Sequence, residues 1–193
     1  MRLKMKDFVL LALLTALYII VYFVAMMTIS LMGPFGHAIS PGVCGLLSGA
    51  ILIFISRKIG KMWQFTLMEL IIMGVFALMG AGYLPWFITS MIGAVLADVI
   101  ASTSNKPSVL KVAIASGLIH VGNALGGIIP ACFFAEQYMN EWIARGQKPE
   151  QMLAMVKAAQ GTMGILATII TFVLSVIGVY IGYAILKGHL KEK

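Results

Sequence analysis

Charged side chains are scarce in this sequence. Only 11% of its 193 residues are Asp, Glu, Lys or Arg, whereas 61% are hydrophobic. A soluble domain of this length cannot bury so much apolar surface, so the composition excludes a soluble globular protein and predicts an integral membrane protein. The formal charge is +7, but the basic residues stand in short clusters between apolar runs. Such clusters are typical of membrane topology signals, and we therefore expect no nucleic-acid partner.

The residues and motifs of common catalytic and metal sites are also missing. The three histidines, His37, His120 and His189, lack the short spacing of a metal site, and no phosphate-binding loop, H-E-x-x-H or G-x-S-x-G motif occurs. We therefore expect no enzymatic activity, no cofactor and no bound metal. Cys44 and Cys132 would lie near the same membrane boundary, which leaves a disulfide open, but two small buried thiols are the favoured interpretation.

Six apolar segments are candidates to cross a hydrocarbon core of about 30 Å, which takes about 20 helical residues. They are residues 8–31, 41–56, 64–80, 84–103, 108–134 and 161–187. The first run is too long for the apolar region of a signal peptide and has no small-x-small cleavage site, so we expect a retained helix. The sequence thus predicts one all-α transmembrane domain over residues 1–193, with six transmembrane helices.

The basic residues predict the orientation. If the six segments alternate in direction, 11 of the 14 Lys and Arg fall on one side: Arg2, Lys4, Lys6, Arg57, Lys58, Lys61, Lys106, Lys111, Lys187, Lys191 and Lys193. Because cytoplasmic loops carry an excess of positive charge, both termini are expected in the cytoplasm.

The segment 135–160 carries helical signals of its own. Phe134, Tyr138 and Trp142 recur every four residues, and Pro149 stands where a second short helix would begin. Two interpretations stay open and are compatible: amphipathic helices in the membrane interface with Tyr138 and Trp142 as belt residues, or a lid over a binding site.

One polar stripe lies deep in the fifth apolar segment. Ser116, His120 and Asn123 share one helical face near the middle of the bilayer, where lipid offers them no hydrogen-bond partners. They either hold helices together or line a ligand pocket that opens to the exterior.

Two acidic residues in the apolar segments are less informative. Glu69 and Asp98 fall in the predicted inner halves of their helices, within reach of Lys61 or Lys106. Ion pairing with these lysines is favoured over a role in proton coupling.

Small residues recur at helical spacing. Ala12 and Ala16 lie four residues apart on an otherwise bulky first helix, which allows another helix to approach closely. Similar stripes, for which we favour packing inside the bundle, are Gly93, Ala97 and Ala101, and Gly178 with Gly182.

Three stretches resemble a known family. They are KDFVLLALLTALYIIVYF, GPFGHAISPG and YLPWFITSMIGAVLADVIA. They look like the Trep_Strep family of bacterial integral membrane proteins, which is grouped with the substrate-binding S components of energy-coupling factor (ECF) transporters, and the likeness spans essentially the whole chain. It implies an S-component-like bundle in the bacterial plasma membrane. It also implies that Ala12 and Ala16 form the AxxxA motif that docks onto the transmembrane T subunit, which is driven by two ATPase subunits.

The resemblance also implies where ligand binds: near the outer face, between the loop after the first helix and the outer halves of the fourth to sixth helices. On this basis Pro34 and Pro41 are expected to break the first two helices into a non-helical turn, together with Gly33, Gly36 and Gly42. Gly36 would let the backbone approach a ligand, and His37 and Ser40 would supply polar contacts, with a plain solvated turn as the alternative.

Tyr83 and Trp86 are expected to form an opposing wall of that pocket or to anchor the membrane interface. The predicted substrate-binding set is therefore Gly36, His37, Ser40, Tyr83, Trp86, His120, Asn123, Tyr138 and Trp142.

The expected substrate is a vitamin-like or other scarce small nutrient. His37 and His120 make haem or another tetrapyrrole a possible substrate, through ligation of iron. The alternatives to this importer subunit are a stand-alone proton-coupled secondary carrier that uses Glu69, Asp98 or His120, and a scaffold protein without ligand.

Overall fold

The computed structural model describes residues 3–102 and 107–188 of the chain, and all regular secondary structure in these two ranges is α-helical. The helices are α1 (Met5–Ser30), α2 (Gly33–Lys58), α3 (Gln64–Leu78), α4 (Leu84–Ala101), α5 (Val109–Phe133), α6 (Ala135–Ala144), α7 (Pro149–Ala159) and α8 (Gly161–Leu186). Five of them, α1, α2, α4, α5 and α8, are long and apolar enough to cross a membrane, whereas α3 is apolar but has only 15 residues. The prediction of an all-helical membrane protein is confirmed. Arg2, Lys106, His189, Lys191 and Lys193 lie outside the described residues.

Helix α2 lies at the centre of the bundle, packed against α1, α5 and α8. Its contact with α8 depends on glycine: a Cβ atom on Gly42 would lie 2.6 Å from Thr171 Cα, and one on Gly178 would lie 2.6 Å from Leu46 Cα. Helices α4 and α5 meet in the same way, since a Cβ atom on Gly93 would lie 3.2 Å from Gly122 Cα. The packing role predicted for the small residues of these helices is therefore confirmed.

The start of α2 differs from the sequence prediction. The helix begins at Gly33 and not at residue 41, so the predicted non-helical turn over residues 31–42 is wrong. Gly33 adopts a φ of 73°, which favours glycine and turns the chain out of α1. Pro34 then occupies the first helical turn, where its missing N–H leaves no bond unmade.

Pro41 lies buried inside α2 without ending it. In a regular helix the backbone N–H of residue 41 would donate to the carbonyl of residue 37, and proline has no such N–H. The Ser40 hydroxyl donates to the His37 carbonyl oxygen at 2.8 Å and so takes the place of the missing donor. Because this carbonyl is satisfied, the helix continues through the proline.

The two short helices predicted within residues 135–160 are present as α6 and α7, and Pro149 is the first residue of α7. Both cysteines are free thiols in the structure. The prediction of buried thiols is confirmed for Cys44, which is fully buried, and is wrong for Cys132, which is exposed.

Two ends of the bundle are distinguished below. The cavity end comprises the α1–α2 connection at residues 31–32, the α3–α4 turn at 79–83, and helices α6 and α7. At the opposite end, the Asp7 carboxyl lies 2.5 Å from Lys61 Nζ.

Asp98 caps the first turn of α3. Its carboxyl oxygens accept hydrogen bonds from the backbone N–H groups of Phe65 (3.2 Å) and Thr66 (2.8 Å). The first N–H groups of a helix have no partner within the helix, and a buried helix end must find acceptors elsewhere. The predicted ion pair of Asp98 or Glu69 with Lys61 is wrong, since Lys61 pairs with Asp7. The alternative partner, Lys106, lies outside the described residues, so pairing with it stays a prediction.

Candidate ligand-binding site

A cavity of about 180 Å³ lies at the cavity end of the bundle, lined by residues of α1 to α7. Its walls are mostly apolar and aromatic, and none of its lining residues is Asp, Glu, Lys or Arg. An engineered protein cavity of roughly 150 Å³ binds benzene. The space is therefore sufficient for a ligand built around a small ring.

Seven of the nine predicted binding residues come together at this cavity. They are His37, Ser40, Tyr83, Trp86, Asn123, Tyr138 and Trp142. They arrive from α2, the α3–α4 turn, α4, α5 and α6, so the fold assembles positions that are far apart in sequence. Ligand binding by these residues stays a prediction.

Gly36 and His120 do not line the cavity. A Cβ atom on Gly36 would lie 2.6 Å from the Ile29 carbonyl oxygen, so this glycine permits close packing of the α1–α2 connection and not the approach of a ligand. His120 is 1% exposed; its Nε2 lies 2.9 Å from the Tyr18 hydroxyl and its Nδ1 lies 2.7 Å from the Ser116 carbonyl oxygen. Both ring nitrogens thus have protein partners, and His120 holds α1 and α5 together.

Asn123 is the most extensively bonded polar residue of the cavity wall. Its Nδ2 donates to Glu69 Oε1 and to the Ile119 carbonyl oxygen, both at 3.0 Å. Its Oδ1 accepts a hydrogen bond of 3.1 Å from Trp86 Nε1. This network joins α3, α4 and α5 and orients the Trp86 ring, which also packs edge-on against Phe76 at 5.4 Å between centroids.

Glu69 was not predicted as part of the site. Its side chain is fully buried on α3, and its Oε2 has no hydrogen-bond partner among the described residues. The sequence signal was a single carboxyl in an apolar run with no basic residue three or four positions away. Glu69 does not line the cavity itself; Tyr22 and Phe76 do, but they carried no such signal in a chain this rich in apolar residues.

Three aromatic rings form one wall of the cavity. Tyr83 lies 5.4 Å from Tyr138 and 5.9 Å from Trp142, measured between ring centroids. Burial raises the pKa of Tyr138 to about 12 and also raises the pKa of Tyr83. Because their ordinary pKa already lies near 10, both phenols stay neutral at physiological pH, and this wall presents no charge.

Arg145 fastens the aromatic wall to the α3–α4 turn. Its Nη1 donates to the carbonyl oxygens of Gly82 (2.7 Å) and Gly80 (3.3 Å), and its Nη2 lies 2.5 Å from Glu141 Oε1. The guanidinium also stacks over the Trp142 ring at 5.1 Å. One side chain therefore links α6 to the turn that carries Tyr83.

Replacing Arg145 by alanine should loosen this link. We expect hydrogen exchange of the backbone amides of residues 80–83 to become faster by on the order of fivefold, which corresponds to about 1 kcal/mol for a partly exposed charged hydrogen bond. Hydrogen–deuterium exchange mass spectrometry in detergent measures this change. Lys157→Ala, at an exposed cation of α7, is the control and should leave these amides unchanged. Equal exchange in Arg145→Ala and the native chain would contradict the role of Arg145.

A wider cleft of about 400 Å³ adjoins the cavity on the side of α7. The two spaces share five lining residues: Met26, Pro34, His37, Ser40 and Met155. The cleft lies between α7 and the α1–α2 connection.

Membrane-length apolar helices around an uncharged cavity define an integral membrane protein with space for a small ligand. A family model described as a hypothetical bacterial integral membrane protein, Trep_Strep, matches residues 5–192. The chain therefore belongs to the Trep_Strep family. Comparisons with curated proteins and with solved structures gave no match.

Proposed function

We propose that the protein is the substrate-binding S component of an ECF-type importer. It captures a scarce small nutrient at the cavity end and delivers it through a T subunit and two ATPase subunits. The observation that supports this most is the uncharged, aromatic-lined cavity, to which seven of the nine predicted residues contribute. A few polar contacts in a mostly apolar pocket give tight and selective binding without catalysis, so the proposed role is not that of an enzyme.

The proposed location is the bacterial plasma membrane, with both termini in the cytoplasm. In this orientation the cavity end faces the exterior, and α3 forms a short sixth crossing. Its 15 residues span about 22 Å, which local thinning of the bilayer accommodates. The clusters of basic residues that predict the orientation support this placement.

The proposed docking surface for the T subunit is the small-residue face of α1. Ala12 and Ala16 are both exposed, while Leu11 and Thr15 beside them are buried against the bundle. Exposed small residues spaced four apart let a partner helix come close to the α1 backbone.

A vitamin-like compound is the proposed class of substrate. Haem or another tetrapyrrole is the second candidate, because His37 lies at both the cavity and the adjoining cleft. Ligation by His37 and His120 together is not supported, since both nitrogens of His120 have protein partners. Unchanged absorbance of haem titrated with the purified protein would exclude this candidate.

The competing proposal is a proton-coupled carrier that acts alone. The two proposals differ in the energy source that drives uptake. We expect the tagged chain, purified from its native membrane, to carry T and ATPase subunits. In liposomes, uptake of the small molecule that co-purifies with the chain should need these subunits and ATP. Uptake by the chain alone, driven by a proton gradient through Glu69, Asp98 or His120, would contradict the S-component proposal and support the carrier.

A further inference from the structure

The carboxamide of Asn123 has a fixed polarity toward the cavity. Both hydrogens of its Nδ2 are engaged, one by Glu69 Oε1 and one by the Ile119 carbonyl oxygen. Its Oδ1 accepts from Trp86 Nε1 and keeps one free lone pair. Asn123 can therefore offer a ligand an acceptor but no donor.

The opposite orientation of the Asn123 carboxamide, with Oδ1 and Nδ2 exchanged, would lose the hydrogen bonds to its neighbours. A flip would set Oδ1 against the Ile119 carbonyl oxygen and Nδ2 against the Trp86 N–H, which pairs an acceptor with an acceptor and a donor with a donor. In a buried site such unmade hydrogen bonds are costly. The free lone pair of Oδ1 is thus a stable feature of the wall.

One other polar group of the cavity extends this pattern. The Ser40 hydroxyl already donates to the His37 carbonyl oxygen, so its Oγ is left to accept. Trp142 Nε1 is buried without a hydrogen-bond partner among the described residues and is not open to a ligand. Asn123 and Ser40 therefore each contribute an acceptor; the lining also includes His37, Tyr22, Tyr83 and Tyr138, but no Asp, Glu, Lys or Arg.

Glu69 helps to fix the orientation of the Asn123 carboxamide. It does not line the cavity, yet it is fully buried and holds one of the two Nδ2 hydrogens of Asn123. Without an acceptor at residue 69, that hydrogen has no partner, and rotation of the carboxamide to find one would draw Oδ1 away from Trp86.

We propose, building on the function proposed above, that the cavity selects an uncharged ring compound that brings an N–H or O–H donor to Asn123 Oδ1, and that Glu69 is the positioning residue for this acceptor. A planar lactam, with its ring N–H, has this chemistry. Iron-bound haem does not, because its ring nitrogens have no hydrogen and its propionates are charged.

The test of the ligand class uses a matched pair of neutral two-ring probes, quinolin-2(1H)-one and its N-methyl derivative, which differ in the N–H donor. Dissociation constants are measured by equilibrium dialysis with the purified chain in detergent. We expect the lactam to bind about tenfold more tightly than the N-methyl compound, as the loss of one buried hydrogen bond implies. Equal affinities, tighter binding of the N-methyl compound, or no binding of the lactam would each overturn the proposal.

The test of Glu69 uses Glu69→Gln, which keeps an acceptor for Asn123, and Glu69→Met, which has similar size but none. The lactam preference should persist in Glu69→Gln and fall to about equal affinities in Glu69→Met. Glu136→Met, at an exposed acid of α6, controls for the loss of a carboxyl and should keep the preference. A preference retained in Glu69→Met would overturn the positioning role.

A second readout needs no ligand. In a chain whose only tryptophan is Trp86, made with Trp63→Phe and Trp142→Phe, ultraviolet resonance Raman spectra report the hydrogen bond of the indole N–H. We expect Glu69→Met to shift the marker band toward that of a free N–H, and Glu69→Gln to leave it in place. If Glu69→Met does not fold, Glu69→Ala takes its place; an unshifted band in the folded variant would overturn the role of Glu69.

The two proposals fail in different experiments. Failure of the lactam pair in a chain that still captures T and ATPase subunits overturns the ligand class and leaves the S-component role standing. A clear lactam preference in a chain that captures no such subunits overturns the S-component role and leaves the ligand class standing.

Discussion

Replacement of both Ala12 and Ala16 by tryptophan should abolish ATP-dependent uptake while leaving ligand binding within about twofold of the native value. The two alanines lie on the exposed face of α1, away from the cavity, so tryptophan there meets no part of the bundle. A partner helix that packs against small residues is displaced by large ones, and in lipid no general hydrophobic attraction compensates for the lost packing. Co-purification of the T subunit and uptake in liposomes measure the effect.

The matched control is Val173→Trp on α8, an exposed position that carries no small-residue spacing. This variant should keep both the T subunit and uptake. Normal uptake by the variant that carries both Ala12→Trp and Ala16→Trp would show that α1 docks through another face or that the protein does not work with a T subunit.

Filling the cavity should remove ligand binding. Gly127 on α5 lines the cavity, and a Cβ atom there would meet only the Tyr138 hydroxyl, at 3.4 Å. A leucine at this position fits the helix but extends into space that a ligand needs, so we expect affinity to fall by roughly 100-fold or more, the equivalent of about 3 kcal/mol. Binding of the co-purified small molecule, measured by equilibrium dialysis, gives the result.

Gly74→Leu is the matched control for this substitution. Gly74 lies exposed on α3 with open space around it, so leucine there adds the same side chain without touching the cavity. Unchanged affinity in Gly127→Leu, with a folded protein, would place the ligand elsewhere.

The apolar segments were predictable because hydrocarbon imposes a length and a composition on every helix that crosses it. The boundaries near residues 31–42 were not. Proline and glycine there suggested a broken chain, but Pro34 stands in a first turn and the gap left by Pro41 is filled by the Ser40 hydroxyl. Such local compensation depends on a side-chain rotamer, which a residue pattern does not contain.

The candidate site was predictable only in part, for a related reason. His120 and Asn123 share a polar stripe, yet residues three apart point about 60° away from each other around a helix. That angle places Asn123 at the cavity and His120 between helices, where Tyr18 meets it. The partners Tyr18 and Glu69 lie on other helices, and sequence spacing carries no information about contacts between helices.

Native mass spectrometry of the purified chain tests the central claim most directly. If the cavity captures a nutrient, the native protein should carry a small molecule that is released as a discrete mass on collisional activation, and Gly127→Leu should carry none. A native chain without any bound small molecule, or an equal amount on both proteins, would contradict the account.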